Sequence, residues 1–108
     1  MINQEKDQLY ILHIIEAIER IESYVVGLDF SSFDRNTMAH TAVIRELEVI
    51  GEATKNLSEE FKNSHANIKW PEIIGMRNKL IHEYFDIDTE LVWQTIVKDL
   101  PELKKELA

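Results

Sequence analysis

The 108-residue chain contains no cysteine. That excludes a disulfide framework, a thiol nucleophile and a thiolate-bound metal, and it fits a reducing compartment. Proline and glycine are scarce, at 2 and 3 residues, so breakers are few and helices should be long. No apolar run approaches the length that spans a bilayer. The opening residues, Met1 to Tyr10, are polar and mixed in charge, unlike a secretion signal. Basic residues are also in deficit: 12 Lys and Arg face 20 Asp and Glu, for a net charge of −8. Broad coating of nucleic acid needs clustered cations to displace counterions, so that mode is disfavoured, although a small site can still grip one phosphate. The expectation is a cytoplasmic protein with one domain over 1–108, no membrane contact and no DNA partner.

Hydrophobic residues make up 44% of the chain, enough for a modest core. A domain this small gains from burying further surface in an oligomer. Over 7–28, Leu9, Leu12, Ile15, Ile18, Ile21, Val25 and Leu28 recur at spacings of three and four, the apolar stripe of a helix. Gly27 and Asp29 punctuate its end, and a break follows before Thr37. A second helix is expected from Thr37 to Phe61, with Val43, Leu47, Ile50, Thr54, Leu57 and Phe61 as its stripe. Glu46, Glu48 and Glu52 are expected on its wet face. Gly51 inside it is unfavourable by about 1 kcal/mol against alanine, which marks a close helix contact. Pro71 opens a third helix, continuing through Leu80 and Ile81 to Tyr84 and Phe85. Asp88 or Thr89 caps a last one, in which Pro101 introduces a kink or a new start. With no strand pattern, these elements predict an all-α, antiparallel bundle of four to five helices.

Chemistry concentrates in Gly75-Met76-Arg77-Asn78-Lys79-Leu80-Ile81-His82-Glu83-Tyr84. Arg77 is a permanent cation with a planar fork suited to phosphate. His82 exchanges a proton near neutral pH. Together they suffice for metal-free RNA cleavage, with histidine drawing the proton from a ribose 2′-OH and arginine neutralising the charge that builds on phosphate. On a continuous helix the two side chains stand about 140° apart, at roughly 100° per residue. A joint site therefore requires a helix that ends near His82, or a symmetric dimer that brings two copies to one cleft. Asn78 shares a helical face with His82, and Arg77 shares one with Tyr84. Taken alone, His82 reads more plainly as a capping or ion-paired histidine, and Tyr84 as a core residue with its hydroxyl at the rim. His13, His40 and His65 are read as surface or structural, Trp70 and Trp93 as core anchors. No same-helix pair of histidines or carboxylates has a persuasive metal spacing.

Nearly the whole chain resembles the HepT-like group of HEPN-domain proteins, the toxin half of HepT/MNT toxin–antitoxin pairs. The resemblance is carried by Ile18-Glu19-Arg20-Ile21, by the segment from Ala42 to Ala53 containing Arg45-Glu46-Leu47 and Ile50-Gly51-Glu52, by Trp70-Pro71-Glu72 through Arg77-Asn78-Lys79-Leu80-Ile81-His82, and by Val92-Trp93 through Leu103. It implies a HEPN-like helical bundle dimerised around a shared cleft. It implies a metal-independent endoribonuclease using an Arg-x4-His-x-Tyr motif, with Arg77 and His82 catalytic, Asn78 in support and no cofactor. It also implies a minimal nucleotidyltransferase antitoxin that transfers AMP to Tyr84, a bulky charged adduct that would block RNA from the cleft. The alternative is a non-catalytic binding module that docks such a nucleotidyltransferase and accepts the modification.

Overall fold

A stretch of 22 residues free of proline and glycine forms the first helix, α1 (Asn3–Tyr24), in the computed structural model. The structure describes the backbone of residues 3–83 and 86–108 and the side chains of residues 4–81 and 86–108. The chain leaves α1 at Tyr24, short of the expected Leu28, and Gly27 turns it with a φ of +78°, a left-handed conformation that favours glycine. The expected stripe is also shifted. Ile14, Ala17, Ile18 and Ile21 form the buried face, whereas Leu9 and Leu12 are 45% and 51% exposed. Periodicity identified the helix, but the position of its neighbour selected which face is covered.

That neighbour is α3 (Thr37–Lys55), reached through the short helix α2 (Phe30–Asp34). Asp29 caps α2 by accepting from the Ser32 backbone, and those bonds hold its carboxyl below the usual range. Asn36 caps α3 by accepting from the Ala39 N–H at 3.0 Å. The helices α1 and α3 run antiparallel, because Asp7 meets Ser58 just beyond the end of α3 while Arg20 and Tyr24 meet Glu46 nearer its start. Glu46 is therefore not on a wet face: it is 7% exposed. The Tyr24 hydroxyl donates to its Oε2 at 3.1 Å. Arg20 Nη2 lies 3.0 Å from Oε1 as an ion pair, its N–H off the line of a true hydrogen bond.

The second helix ends at Lys55, not Phe61. Buried Asp7 accepts from both the backbone N–H and the hydroxyl of Ser58, at 2.8 and 2.6 Å. Ser58 in turn accepts from the Phe61 N–H and starts α4 (Glu59–Ser64). A serine cap tied to a buried carboxylate thus overrides the apolar periodicity that runs through Leu57 and Phe61.

Pro71 does sit in the first turn of α5 (Trp70–Ile74), and Trp70 is a buried anchor whose indole N–H is shared by the Lys62 and His65 carbonyls. The expected single helix through Phe85 is broken twice. Gly75 separates α5 from α6 (Met76–Leu80), and at Ile81 the backbone turns extended, with φ −123° and ψ 106°. Strands β1 (Ile81–Glu83) and β2 (Asp86–Ile87) then pair antiparallel, an element the sequence reading did not foresee. Tyr84 and Phe85 lie outside the described residues.

Asp88 caps α7 (Thr89–Gln94), while Thr89 instead donates to Asp34 of α2 at 2.6 Å. A π-helical turn over Thr95–Asp99 leads into α8 (Leu100–Leu107). Pro101 accounts for the wide turn: it offers no N–H to Val97 and its ring would crowd that carbonyl. The Leu100 N–H reaches back to the Thr95 carbonyl instead. Val92, Ile96, Leu100 and Leu103 bury this last rod against the core, and Lys104 ties it to Glu19 and Glu22 of α1. Apart from the small ribbon, the fold is the expected all-α, HEPN-like helical one.

The α3–α5 contact is closest at Gly51. A Cβ there would lie 3.4 Å from the Ile74 carbonyl oxygen, ordinary contact for one methyl and too close for a branched side chain. Gly51→Ala should therefore stabilise the protein by up to about 1 kcal/mol through helix propensity. Gly51→Leu should destabilise it by about 1–3 kcal/mol through overpacking, both read from urea unfolding.

Burial, with the bond to Glu46 second, pushes the Tyr24 hydroxyl above the usual tyrosine range. The fold therefore favours the protonated phenol. This stabilisation is complete below the unfolded value of about 10 and disappears as pH rises through the folded value. Thermal midpoints compared between neutral and strongly alkaline pH should fall less steeply in Tyr24→Phe than in the parent.

Candidate active site

The site residues fall on two elements joined without a loop. The helix α6 is short because Gly75 precedes it and the extended Ile81 ends it. Met76 and Leu80 anchor it in the core. Arg77 and Asn78 lie on its exposed side. The Arg77 guanidinium is half-exposed and meets Glu48 of α3, with Nε 3.5 Å from Oε2. Glu48 was read from sequence only as a solvated acid. A usable signal was present: Glu48 precedes Gly51 by three residues, so both lie on the face of α3 that receives α5.

His82 does not continue the helix. It lies in β1, so the same-face relation expected on one helix for Asn78 and His82 does not hold as a helical spacing, and the one expected for Arg77 and Tyr84 falls outside the described residues. The ladder pairs Ile81 with Ile87 and Glu83 with Asp86, leaving His82 as the extra residue of a bulge. Bulges re-aim side chains and are over-represented beside active sites. The ribbon is anchored at its base, where the Asp88 N–H donates to the Leu80 carbonyl at 2.9 Å. The His82 side chain and all of Tyr84 lie outside the described residues. Of the two geometries that would allow a joint arginine–histidine site, the chain has the first: its helix ends before His82.

The acids near the motif differ in their roles. The Asp88 carboxylate is engaged by the Leu91 N–H at 3.0 Å and serves α7. Asp86 is exposed. Among the described residues, no three His, Asp or Glu side chains converge at metal-ligand distance. The other histidines fit a surface or structural reading: His13 is exposed, His40 Nε2 lies 3.0 Å from the Asp34 carbonyl, and His65 stacks on Phe61.

An open groove of 830 Å³ runs between α5–α6 and the α7–α8 rod. Met76, Lys79 and Leu80 line it but Arg77 and Asn78 do not, so it opens on another side of α6. Its rim alternates Lys69, Lys79, Lys98 and Lys105 with Glu72, Asp99, Glu102 and Glu106, leaving no net charge to hold a phosphate chain. Among the described residues no helix is long and apolar enough to cross a membrane.

The chain is similar to several known proteins over most of its length. It is 44% identical over 98 residues to a "Putative RNase" of Caldanaerobacter subterraneus subsp. tengcongensis, covering 91% of this chain and 88% of that one. It is 45% identical over 95 residues to the "Probable ribonuclease HepT" of Thermococcus cleftensis, covering 88% and 86%. A "Putative RNase" of Methanocaldococcus jannaschii is 38% identical over 98 residues, covering 91% and 90%. No solved structure matches significantly. The HepT-like family, described as ribonuclease HepT-like, matches residues 14–108, a span that contains α3, α6 and the bulged ribbon. The chain therefore belongs to the HepT-like family.

Proposed function

We propose that this chain is a metal-independent endoribonuclease acting through Arg77 and His82, the toxin of a HepT/MNT-type pair. The observation that carries this reading is the end of α6 at Leu80 followed by the bulge at His82. Arginine is thereby delivered from a helix and histidine from a strand, which removes the 140° separation of a continuous helix. Similarity to proteins named as ribonucleases supports RNA as the substrate class.

In this mechanism His82 takes the proton of a ribose 2′-OH. The 2′-oxygen attacks the adjacent phosphorus, and the Arg77 guanidinium neutralises the charge that develops on the non-bridging oxygens. The P–O5′ bond breaks, the leaving 5′-oxygen takes a proton, and the products end in a 2′,3′-cyclic phosphate and a 5′-hydroxyl. Asn78, exposed next to Arg77, supplies an amide donor to the same phosphate. Two copies of the chain share the cleft, so that one histidine acts as base and the other as acid. A nucleotidyltransferase antitoxin silences the cleft by transferring AMP from ATP: the Tyr84 hydroxyl loses its proton and bonds to the α-phosphorus, and pyrophosphate leaves. The net charge of −8 favours, as second reading, a module that docks that partner and accepts the modification without cutting RNA.

The test is cleavage of single-stranded RNA by the purified chain beside Arg77→Ala and His82→Ala, with product ends analysed. Each substitution should slow cleavage by about 10²–10⁴-fold without unfolding the protein. Intact RNA with a folded, unmodified parent protein would overturn the nuclease and leave the docking module. Co-expression with an MNT-type nucleotidyltransferase should add the mass of one AMP to the parent and nothing to Tyr84→Phe.

A further inference from the structure

We infer that Glu48 is a positioning residue for Arg77, holding the guanidinium by its Nε edge so that its terminal nitrogens face the RNA phosphate. The inference rests on the ribonuclease reading for its catalytic consequence, while the contact itself stands on geometry.

The contact follows from how α3 receives α5 and α6. Gly51 has no side chain, so the carbonyls of Ile73 and Ile74 rest almost directly on α3. Glu48 lies three residues before that contact point on α3, and Arg77 lies three residues beyond Ile74 on the following helix. Backbone packing therefore brings the two side chains together before either is ordered. Glu48 Oε2 then lies 3.5 Å from Nε, an ion pair longer than an aligned hydrogen bond. Among the described residues it is the one carboxylate within ion-pair distance of Arg77.

The choice of atom matters. Arginine offers five N–H donors, and an ion pair measured at Nε that forms no hydrogen bond leaves those donors to be met by a phosphate. A carboxylate on the terminal edge would instead compete with RNA. The pair is about half-exposed, 49% and 48%, so it contributes little to folding. Nor does it raise phosphate affinity, because Glu48 repels RNA as Arg77 attracts it. What remains is orientation of a long, flexible side chain, and misplacement of a reacting group by about 1 Å costs on the order of 10²-fold in rate. The signature of such a role is a loss in kcat with no rise in KM.

Two measurements test it on the full chain, using a short single-stranded RNA. In Glu48→Ala, kcat should fall about 10- to 100-fold while KM stays level or drops. In Glu48→Gln, which keeps the shape of the side chain but not its charge, kcat should fall as far, because the contact is an ion pair. Glu60→Ala removes the same charge from exposed α4 and controls for net acidity. In parallel, the NMR order parameter of the Arg77 Nε–H bond should fall in both Glu48 variants relative to the parent. Unchanged or faster kcat in Glu48→Ala overturns the positioning role, as does a Glu48→Gln enzyme as fast as the parent. If the parent cuts no RNA, the ribonuclease reading fails on its own, and the order parameters alone decide: a drop on loss of Glu48 sustains the hold on Arg77, and equal values refute it.

Discussion

The site depends on how closely two backbones approach at Gly51. Helices in a bundle are usually separated by side chains, which set their axes 8–10 Å apart. At Gly51 one of those side chains is missing, and the carbonyl end of α5 drops onto α3. Three features cluster around that contact. The chain breaks at Gly75 and restarts as α6, Arg77 projects back over α3, and Glu48 one turn earlier becomes its partner. A methyl group would still fit at this contact, whereas a branched side chain in mid-helix would spread the two helices apart.

A second constraint acts at the two ends of the α1–α3 pair. Asp7 at one end and Glu46 at the other are almost fully buried, and each is met by groups from the opposite element. A buried carboxylate is costly unless it is paired or hydrogen-bonded. Sliding or rotating α1 by one residue would strand both, so the two contacts lock the register of the pair. The rod of α7, the π-helical turn and α8 then closes over α1 through Lys104 and a continuous apolar face. The site itself carries no such buried polar group among the described residues. Arg77 and Asn78 are exposed on a helix of only five residues.

Much of this was legible from the amino-acid order. The long helices, the cap at Asp88, the helix start at Pro71 and the anchors Trp70 and Trp93 all follow from local rules. Gly51 was legible as a close contact, though not which element would make it. The Arg77–His82 relation was legible as a dilemma: either the helix stops or a second copy is needed. The end of α6 and the bulge resolve the first branch through backbone bonds that no helical periodicity encodes, above all Asp88 N–H to the Leu80 carbonyl. Apolar spacing continued through Ile81 toward Phe85, so a reading based on period alone carried the helix too far.

Sequence by itself determined the helical class, the approximate number of rods and the residue types available for chemistry, because propensity, capping and periodicity act within a few residues. Only the tertiary structure decided which face of α1 is covered, that Glu46 is buried while Glu48 reaches Arg77, and that His82 sits in a strand. Those outcomes depend on groups far apart in the chain, such as Asp7 with Ser58 and Gly51 with Ile74. Burial and ion pairing are properties of the neighbour as much as of the residue, and the neighbour is fixed only when the helices pack.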